Sequence, residues 1–427
     1  MPVHLPAWLH WSAAPADASP LQRRNFINVQ IDGIGVGLAN ASAPFIPVFL
    51  AHLGATNFQV GLLTAMPAVA GLLLSLAIGQ FLQRQRNVVP WYGRARFLAI
   101  LAYAATGLVT LVVPPAWAVN VTLLIWAVVT VPQIMTNVGF SVVMNGVAGP
   151  QGRYELMSRR WSVLGLTTSL AVLLAGQVLE WLPFPLNFQV AFMGFSVGGL
   201  VSLVFSSRLE LPPNPPPTPR PAHQPLGDRL RAARDLLAAH PAFLSFTGKR
   251  FVFLSGIALA APIFPLYYVR AAHASDASIS LISTAGSVTL LIGYRFWTRL
   301  SQRRGSRLVL LCTTAGLALY PALTAATTQV ELLIALAALA GVFQAGLDLV
   351  FFDELMKTVP PEQTALFAAL AQSLQNMSAI AAPLIGTFLA DHIGLGGALL
   401  VSGGLRLLAF GLFLRARPAG PVETAAA

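Results

Sequence analysis

From Asn28 to Leu50 the chain reads "NVQIDGIGVGLANASAPFIPVFL", an apolar run interrupted by one carboxylate. Similar runs recur down the chain, separated by short polar or basic stretches. A helix needs about 20 mostly apolar residues to cross a bilayer. On that scale spans fall near 27–50, 60–82, 95–115, 119–146, 162–183, 187–206, 246–269, 278–298, 307–327, 331–356, 364–388 and 395–415. The runs do not alternate every second residue, so they predict helices and not barrel strands.

The longest polar stretch, Arg208 to Pro241, divides the spans six and six. Its proline-rich first half reads as a semi-rigid linker. "LGDRLRAARDLLAAH" then has the pattern of an amphipathic helix lying on a membrane surface. The halves on either side resemble each other. "APFIPVF" begins at Ala43 and "APIFPLY" at Ala261, an offset of 218. "GLLTA" (61–65) and "SLISTA" (280–285) follow in the same order, as do "LLIWA" (123–127) and "LLIAL" (332–336). Three pairs in one order indicate an internal duplication. The expected organisation is an all-α membrane protein of 12 transmembrane helices, in two six-helix bundles related by a pseudo-two-fold repeat. Its parts are a tail (1–26), a bundle (27–207), a linker (208–241), a second bundle (242–416) and a second tail (417–427).

Composition agrees: 56% of the 427 residues are hydrophobic and 10% charged, where a soluble chain carries about a quarter charged. The net charge of +11 raises the question of nucleic acid. The basic loops, however, are short and lack interleaved aromatic residues, so no nucleic-acid partner is expected. Placement is more informative. Of the 26 Lys and Arg, 21 fall in the termini and the even-numbered connections. That bias predicts a multi-pass protein of the plasma (inner) membrane with both termini cytoplasmic. The single cysteine, Cys312, rules out an intramolecular disulfide.

No Gly-x4-Gly-Lys-Ser/Thr phosphate loop is present, so ATP is not a direct driver. No His/Cys cluster suggests a metal, no nucleophile–base arrangement suggests an enzyme, and no cofactor is expected. Attention therefore falls on ionisable residues inside the spans, which are expensive there and usually functional. These are Asp32, Lys249, Arg250, Arg295, Asp348 and Arg406. Gln344 and Asp348 stand one turn apart on a single helix face. Asn40, Gln133, Asn137, Gln372 and Asn376 add polar groups in spans 1, 4 and 11.

Six plus six helices, cytoplasmic termini and a central linker resemble the major facilitator superfamily of secondary transporters. That family's local signature, roughly Gly-x-x-x-Asp-Arg-x-Gly-Arg-Arg, follows helix 2 and often recurs after helix 8. Here "GQFLQRQRN" matches it at Gly79 and Arg84, and "TRLSQRRGSR" at Arg303, Gly305 and Arg307. Glutamine, Gln83 or Gln302, stands in the aspartate position each time. The resemblance implies a cytoplasmic gate at these residues, with Asp353 and Glu354 as acidic counterparts. It also implies a cavity lined by helices 1, 4, 7 and 10, which favours Asn40, Gln133, Asn137 and Gln344 as candidates for substrate contact; Gln372 and Asn376 of span 11 and Arg406 of span 12 are candidates as polar groups inside the spans. The expected function is alternating-access transport of a small organic solute by a monomer in the lipid bilayer, coupled to protons. An uncoupled facilitator, or a sensor or scaffold with the same fold, is the alternative. Asp32, Arg250 and Asp348 are the coupling candidates. The offset of 218 sets Asp32 and Arg250 at equivalent places in the repeat, so the two are expected to pair in one state and separate in another.

Overall fold

A computed structural model of the chain describes residues 18–211, 240–358 and 364–415. Most of the expected linker, with its amphipathic segment, lies outside the described residues, as do residues 1–17 of the first tail and the whole of the second. Among the described residues the backbone is helical nearly throughout and contains no strand.

The elements are α1 (Pro20–Asn40), α2 (Phe45–His52), α3 (Asn57–Gln83), α4 (Val89–Val112), α5 (Pro115–Trp181) and α6 (Leu186–Ser207), followed by α7 (Pro241–Ala260), α8 (Ile263–Arg270), α9 (Asp276–Arg304), α10 (Ser306–Ala325), α11 (Val330–Lys357) and α12 (Thr364–Arg415). They supply the twelve expected crossings. Helical bonding runs through α5, which carries two of them as Pro115–Met144 and Arg159–Trp181. The sequence pattern expected a loop there. The last two crossings lie in α12, which breaks at Gly394, where φ is 79° and ψ 165°. Glycine alone adopts that backbone without strain.

Proline places the breaks in the first crossing of each half. Pro44 and Pro47 have no N–H to give to the carbonyls four residues back, so bonding lapses between α1 and α2. Pro262 and Pro265 do the same between α7 and α8. The result is register-matched: Phe45–His52 and Ile263–Arg270 are the same eight-residue piece, 218 residues apart.

The described residues form two compact units. Unit 1 takes those within Met1–Gly54, Leu73–Pro217 and Ser275–Thr284; unit 2 takes those within Ala55–Leu72, Thr218–Ala274 and Ala285–Ala427. Each unit therefore includes a short helical piece from the other half of the sequence.

In unit 1, Phe49 packs against Phe188 and Phe192, with ring centroids 5.2 and 5.4 Å away. Small residues let α1 sit directly on its neighbours, the usual way membrane helices approach closely. A Cβ on Gly35 would lie 2.5 Å from the Ser202 nitrogen of α6, and one on Gly37 would lie 2.8 Å from Thr167 Cβ of α5. These contacts fix the rotation of α1 and turn Asp32 inward. Asp276 of α9 also belongs to this unit and meets His52 Nε2 at 3.3 Å.

Unit 2 has its own aromatic core, built on Phe243, Phe253, Phe351, Phe367 and Phe413. Here Arg270 donates to the Ala55 carbonyl and to Asn57 Oδ1, and Asn57 Nδ2 donates to Asp391 Oδ1 at 2.7 Å. Arg270 and His52 are repeat equivalents, so the end of each broken crossing is tied to the start of a helix from the opposite half of the sequence. Large apolar side chains such as Leu73, Val112, Val128, Trp117 and Trp181 remain exposed, as expected of surfaces that face lipid.

Candidate functional site

Asp32 lies twelve residues into α1 and is 1% exposed. Three other helices of unit 1 converge on it. Arg96 of α4 donates through Nη1 to Asp32 Oδ1, and Ser202 Oγ of α6 donates to the same oxygen at 2.7 Å. Arg160 of α5 donates from Nη2 to Oδ2 at 3.1 Å. Arg96 Nη1 also reaches Ser202 Oγ at 2.7 Å, and its Nη2 donates to Tyr92 Oη one turn away. Two guanidiniums against one carboxylate leave a single positive charge in excess. Both arginines are nearly inaccessible, at 7% and 3% exposure. Removing the carboxylate from such a buried set is strongly destabilising, because it strands both guanidiniums.

The sequence pattern set Arg96 at the very start of the third span and Arg160 in the basic stretch before the fifth, and expected neither at the site. Each lies on a helix: α4 starts at Val89 and helical bonding in α5 runs through Arg160, so both fall inside the bundle. It is their side chains that hold the Asp32 carboxylate in this structure. The expected partner, Arg250, instead lies in unit 2, where it donates from Nη2 to Gln375 Oε1 at 2.8 Å and rests 5.8 Å from the Phe351 ring centre. Equivalent places in a repeat imply similar depth, and depth alone does not bring side chains together. The Tyr92–Arg96 spacing of four residues, just after Pro90 at a helix start, was the available signal for a buried arginine.

Beside this cluster lies a cavity of about 340 Å³. Asn40, Gln133 and Asn137, picked from the sequence as substrate contacts, all line it, and so do Arg96, Arg160 and Ser202. Its apolar wall includes Tyr103, Phe140, Trp161 and Leu164. The Arg160 guanidinium sits 4.6 Å from the Phe140 ring centre and 5.9 Å from that of Trp161, a cation–π arrangement. Among the described lining residues there is no carboxylate. Two buried polar atoms on the lining, Arg160 Nε and Thr136 Oγ1, have no hydrogen-bond partner.

The remaining candidates lie in unit 2 or on helix ends. Asp348 Oδ2 accepts from Tyr294 Oη at 3.0 Å, and Oδ1 accepts from Gln344 Nε2 at 2.7 Å. No cation is among these partners. Gln372 Nε2 donates to Asn376 Oδ1 at 3.2 Å. Arg406 is 3% exposed and donates to backbone, to the Leu317 carbonyl at 3.0 Å and the Gly256 carbonyl at 3.4 Å. It ties α12 to α7 and α10. None of these residues lines the unit 1 cavity.

Of the expected gate residues, Gly79 lies within α3 and Arg84 is exposed just past its end. Gly305, with φ of 84°, separates α9 from α10, with Arg303 and Arg307 exposed on either side. Asp353 and Glu354 pair with Lys357 of their own helix, at 2.6 and 2.9 Å. Ser306, at the start of α10, donates to Glu354 Oε1 at 2.6 Å. Burial lowers the Lys357 pKa, but its bonds to Asp353 and Glu354 outweigh that and raise it above the ordinary value.

Residues 250–427 match the sequence model of the Major Facilitator Superfamily. The multidrug resistance protein MdtG of Proteus mirabilis (strain HI4320) is 30% identical over 161 residues, which cover 36% of this chain and 40% of that protein. The chain thus spans about two fifths of the curated relative's length. Among solved structures, a variant of the nucleoside transporter NupG superposes with a TM-score of 0.71 at 12% identity, over 91% of this chain and 99% of that one. A bacterial homologue of the iron transporter ferroportin, in an inward-facing state, gives 0.68 at 18% identity, over 92% and 98%. At such identities the superpositions speak for the fold alone. Residues 250–427, under half of the chain, thus resemble the Major Facilitator Superfamily in sequence, and the described residues share the fold of these solved transporters.

Proposed function

We propose that this protein is a secondary transporter that carries a small organic solute across the inner membrane by alternating access. One observation carries the reading: a 340 Å³ cavity inside unit 1, with the unpartnered polar atoms Arg160 Nε and Thr136 Oγ1 buried at its lining. Small-molecule sites are concave, mostly apolar and furnished with a few placed polar groups. The solute enters among Asn40, Gln133, Asn137 and the two arginines.

Protons drive the movement. A coupling carboxyl must gain and lose its charge during the cycle, and Asp348 is better placed for that than Asp32. Protonating Asp32 means disrupting contacts to two guanidiniums. Asp348 is held by a hydroxyl and an amide, which suit a neutral carboxyl as well as a charged one. Both termini face the cytoplasm, as the arginine bias directs. The bundles at 27–207 and 242–416 move as the working halves, joined by the 208–241 linker.

The test uses purified full-length protein in liposomes loaded with a pH-reporting dye, challenged with a panel of amphipathic organic solutes. The expected result is proton movement that needs both the protein and a solute, beyond that of protein-free vesicles. Solute flux indifferent to the pH gradient makes the protein an uncoupled facilitator. Absence of flux for every solute that binds overturns transport itself.

A further inference from the structure

Resting on the transporter reading, we infer that the substrate is a monoanion: an organic acid whose carboxylate or equivalent group sits on Arg160 and Arg96, with an aromatic or branched apolar body against Trp161 and Phe140. The argument begins with charge. Asp32 neutralises one of the two guanidiniums that converge on it, so the cluster keeps one positive charge within a buried, largely apolar setting. An uncompensated charge is costly there, and a bound anion relieves that cost.

The donors point the same way. Two guanidiniums carry ten N–H bonds and no acceptor. Asp32, Ser202 and Tyr92 account for four contacts from them. Arg160 Nε, on a side chain 3% exposed, has no partner at all, and neither has Thr136 Oγ1 nearby on the same cavity. An arginine edge with a free Nε–H is the geometry that takes a carboxylate in parallel hydrogen bonds. The lining offers no carboxylate to an organic cation, which would also meet the excess positive charge. A neutral solute would fit the aromatic wall but would leave that charge unbalanced. A cavity of about 340 Å³ accommodates a single-ring acid.

Binding is tested on the intact chain in neutral detergent, by thermal stabilisation and calorimetry, with 4-phenylbutyrate, 4-phenylbutyramide and 4-phenylbutylamine as matched anionic, neutral and cationic probes. Stabilisation by the acid is expected, with the amide weaker by roughly ten- to a hundredfold, the difference a charged hydrogen-bond pair makes. The amine is expected not to bind. Arg160→Gln is expected to weaken the acid by a similar factor and leave the amide unchanged, while Arg160→Lys restores part of the loss. Should Arg160→Gln fail to fold, Thr136→Val serves, since its hydroxyl has no partner to lose; it is expected to weaken the acid several-fold. Equal binding of all three probes, or preference for the amine, overturns the anion assignment. So does Arg160-dependent stabilisation by phosphatidylglycerol nanodiscs that the acid cannot displace, which makes the cavity a lipid-headgroup site. These outcomes leave transport untouched, whereas Arg160-dependent acid binding without flux in liposomes sinks the transporter reading and keeps the anion site.

Discussion

The two units hold their charges in opposite ways. In unit 1 a carboxylate and two arginines are joined: Asp32 takes bonds from both Arg96 and Arg160. In unit 2 the charges stand apart, each on neutral partners. Arg406 rests on two carbonyls, Arg250 on a glutamine amide, and Asp348 on a tyrosine and a glutamine. The halves descend from one repeat, yet equivalent positions now hold Asp32 and Arg250. A joined set is stiff, because the one carboxylate is the only counter-charge that two buried guanidiniums have among these partners. A charge on neutral partners is free to change its protonation or its contacts. Under the proposed function, the copy with the joined set holds the solute and the copy with the separate charges handles the proton.

The comparison is tested most severely at Asp32. Asp32→Leu leaves two guanidiniums facing each other without a counter-charge, and a loss of about 3–5 kcal/mol is expected. Denaturant unfolding in mixed micelles measures it. Wild-type stability in this variant would mean the cluster is not the stiff unit described here. Arg406→Leu is the matched change in unit 2. It strands two carbonyls and no opposite charge, so a smaller loss of about 1–3 kcal/mol is expected in the same assay. If Arg406→Leu proves the more damaging, the contrast between the units has been misread.

A smaller effect separates the two repeat-equivalent ties. Arg270→Ala removes bonds to the Ala55 carbonyl and to Asn57, and about 1–2 kcal/mol should be lost. His52→Ala removes one polar contact, to Asp276, and the ring's packing on Phe184 and Phe188 from a partly exposed position, for which about 1 kcal/mol or less is expected. Equal losses would show that the His52 contact is stronger than its geometry suggests.

Much of this architecture was legible in the sequence because the bilayer imposes it. Apolar runs of fixed length mark the crossings, and paired prolines mark the breaks that recur 218 residues apart. Asn40, Gln133 and Asn137 were found because amides are conspicuous in an apolar helix. Arg96 and Arg160 were not, for a physical reason. Arginines beside a span usually reach water, so a reading by position assigns them to loops. What buries them is a carboxylate on a third helix, and that contact depends on how α1 turns on Gly35 and Gly37. The pairing of Asp32 was missed for the same reason. The repeat gives its height in the membrane, while its neighbours come from packing within one unit.

The central claim, that Asp348 carries the coupling proton while the Asp32 cluster does not change charge, is tested most directly by transport with Asp348→Asn. The amide keeps the size of the side chain and a contact to Tyr294, so folding is expected to stay within about 0.5 kcal/mol of wild type. The measurement compares, in the same liposomes, solute accumulation under a pH gradient with solute exchange at equal pH. Accumulation is predicted to vanish while exchange persists. Wild-type accumulation by Asp348→Asn would contradict the account and return the coupling role to Asp32 or to another group.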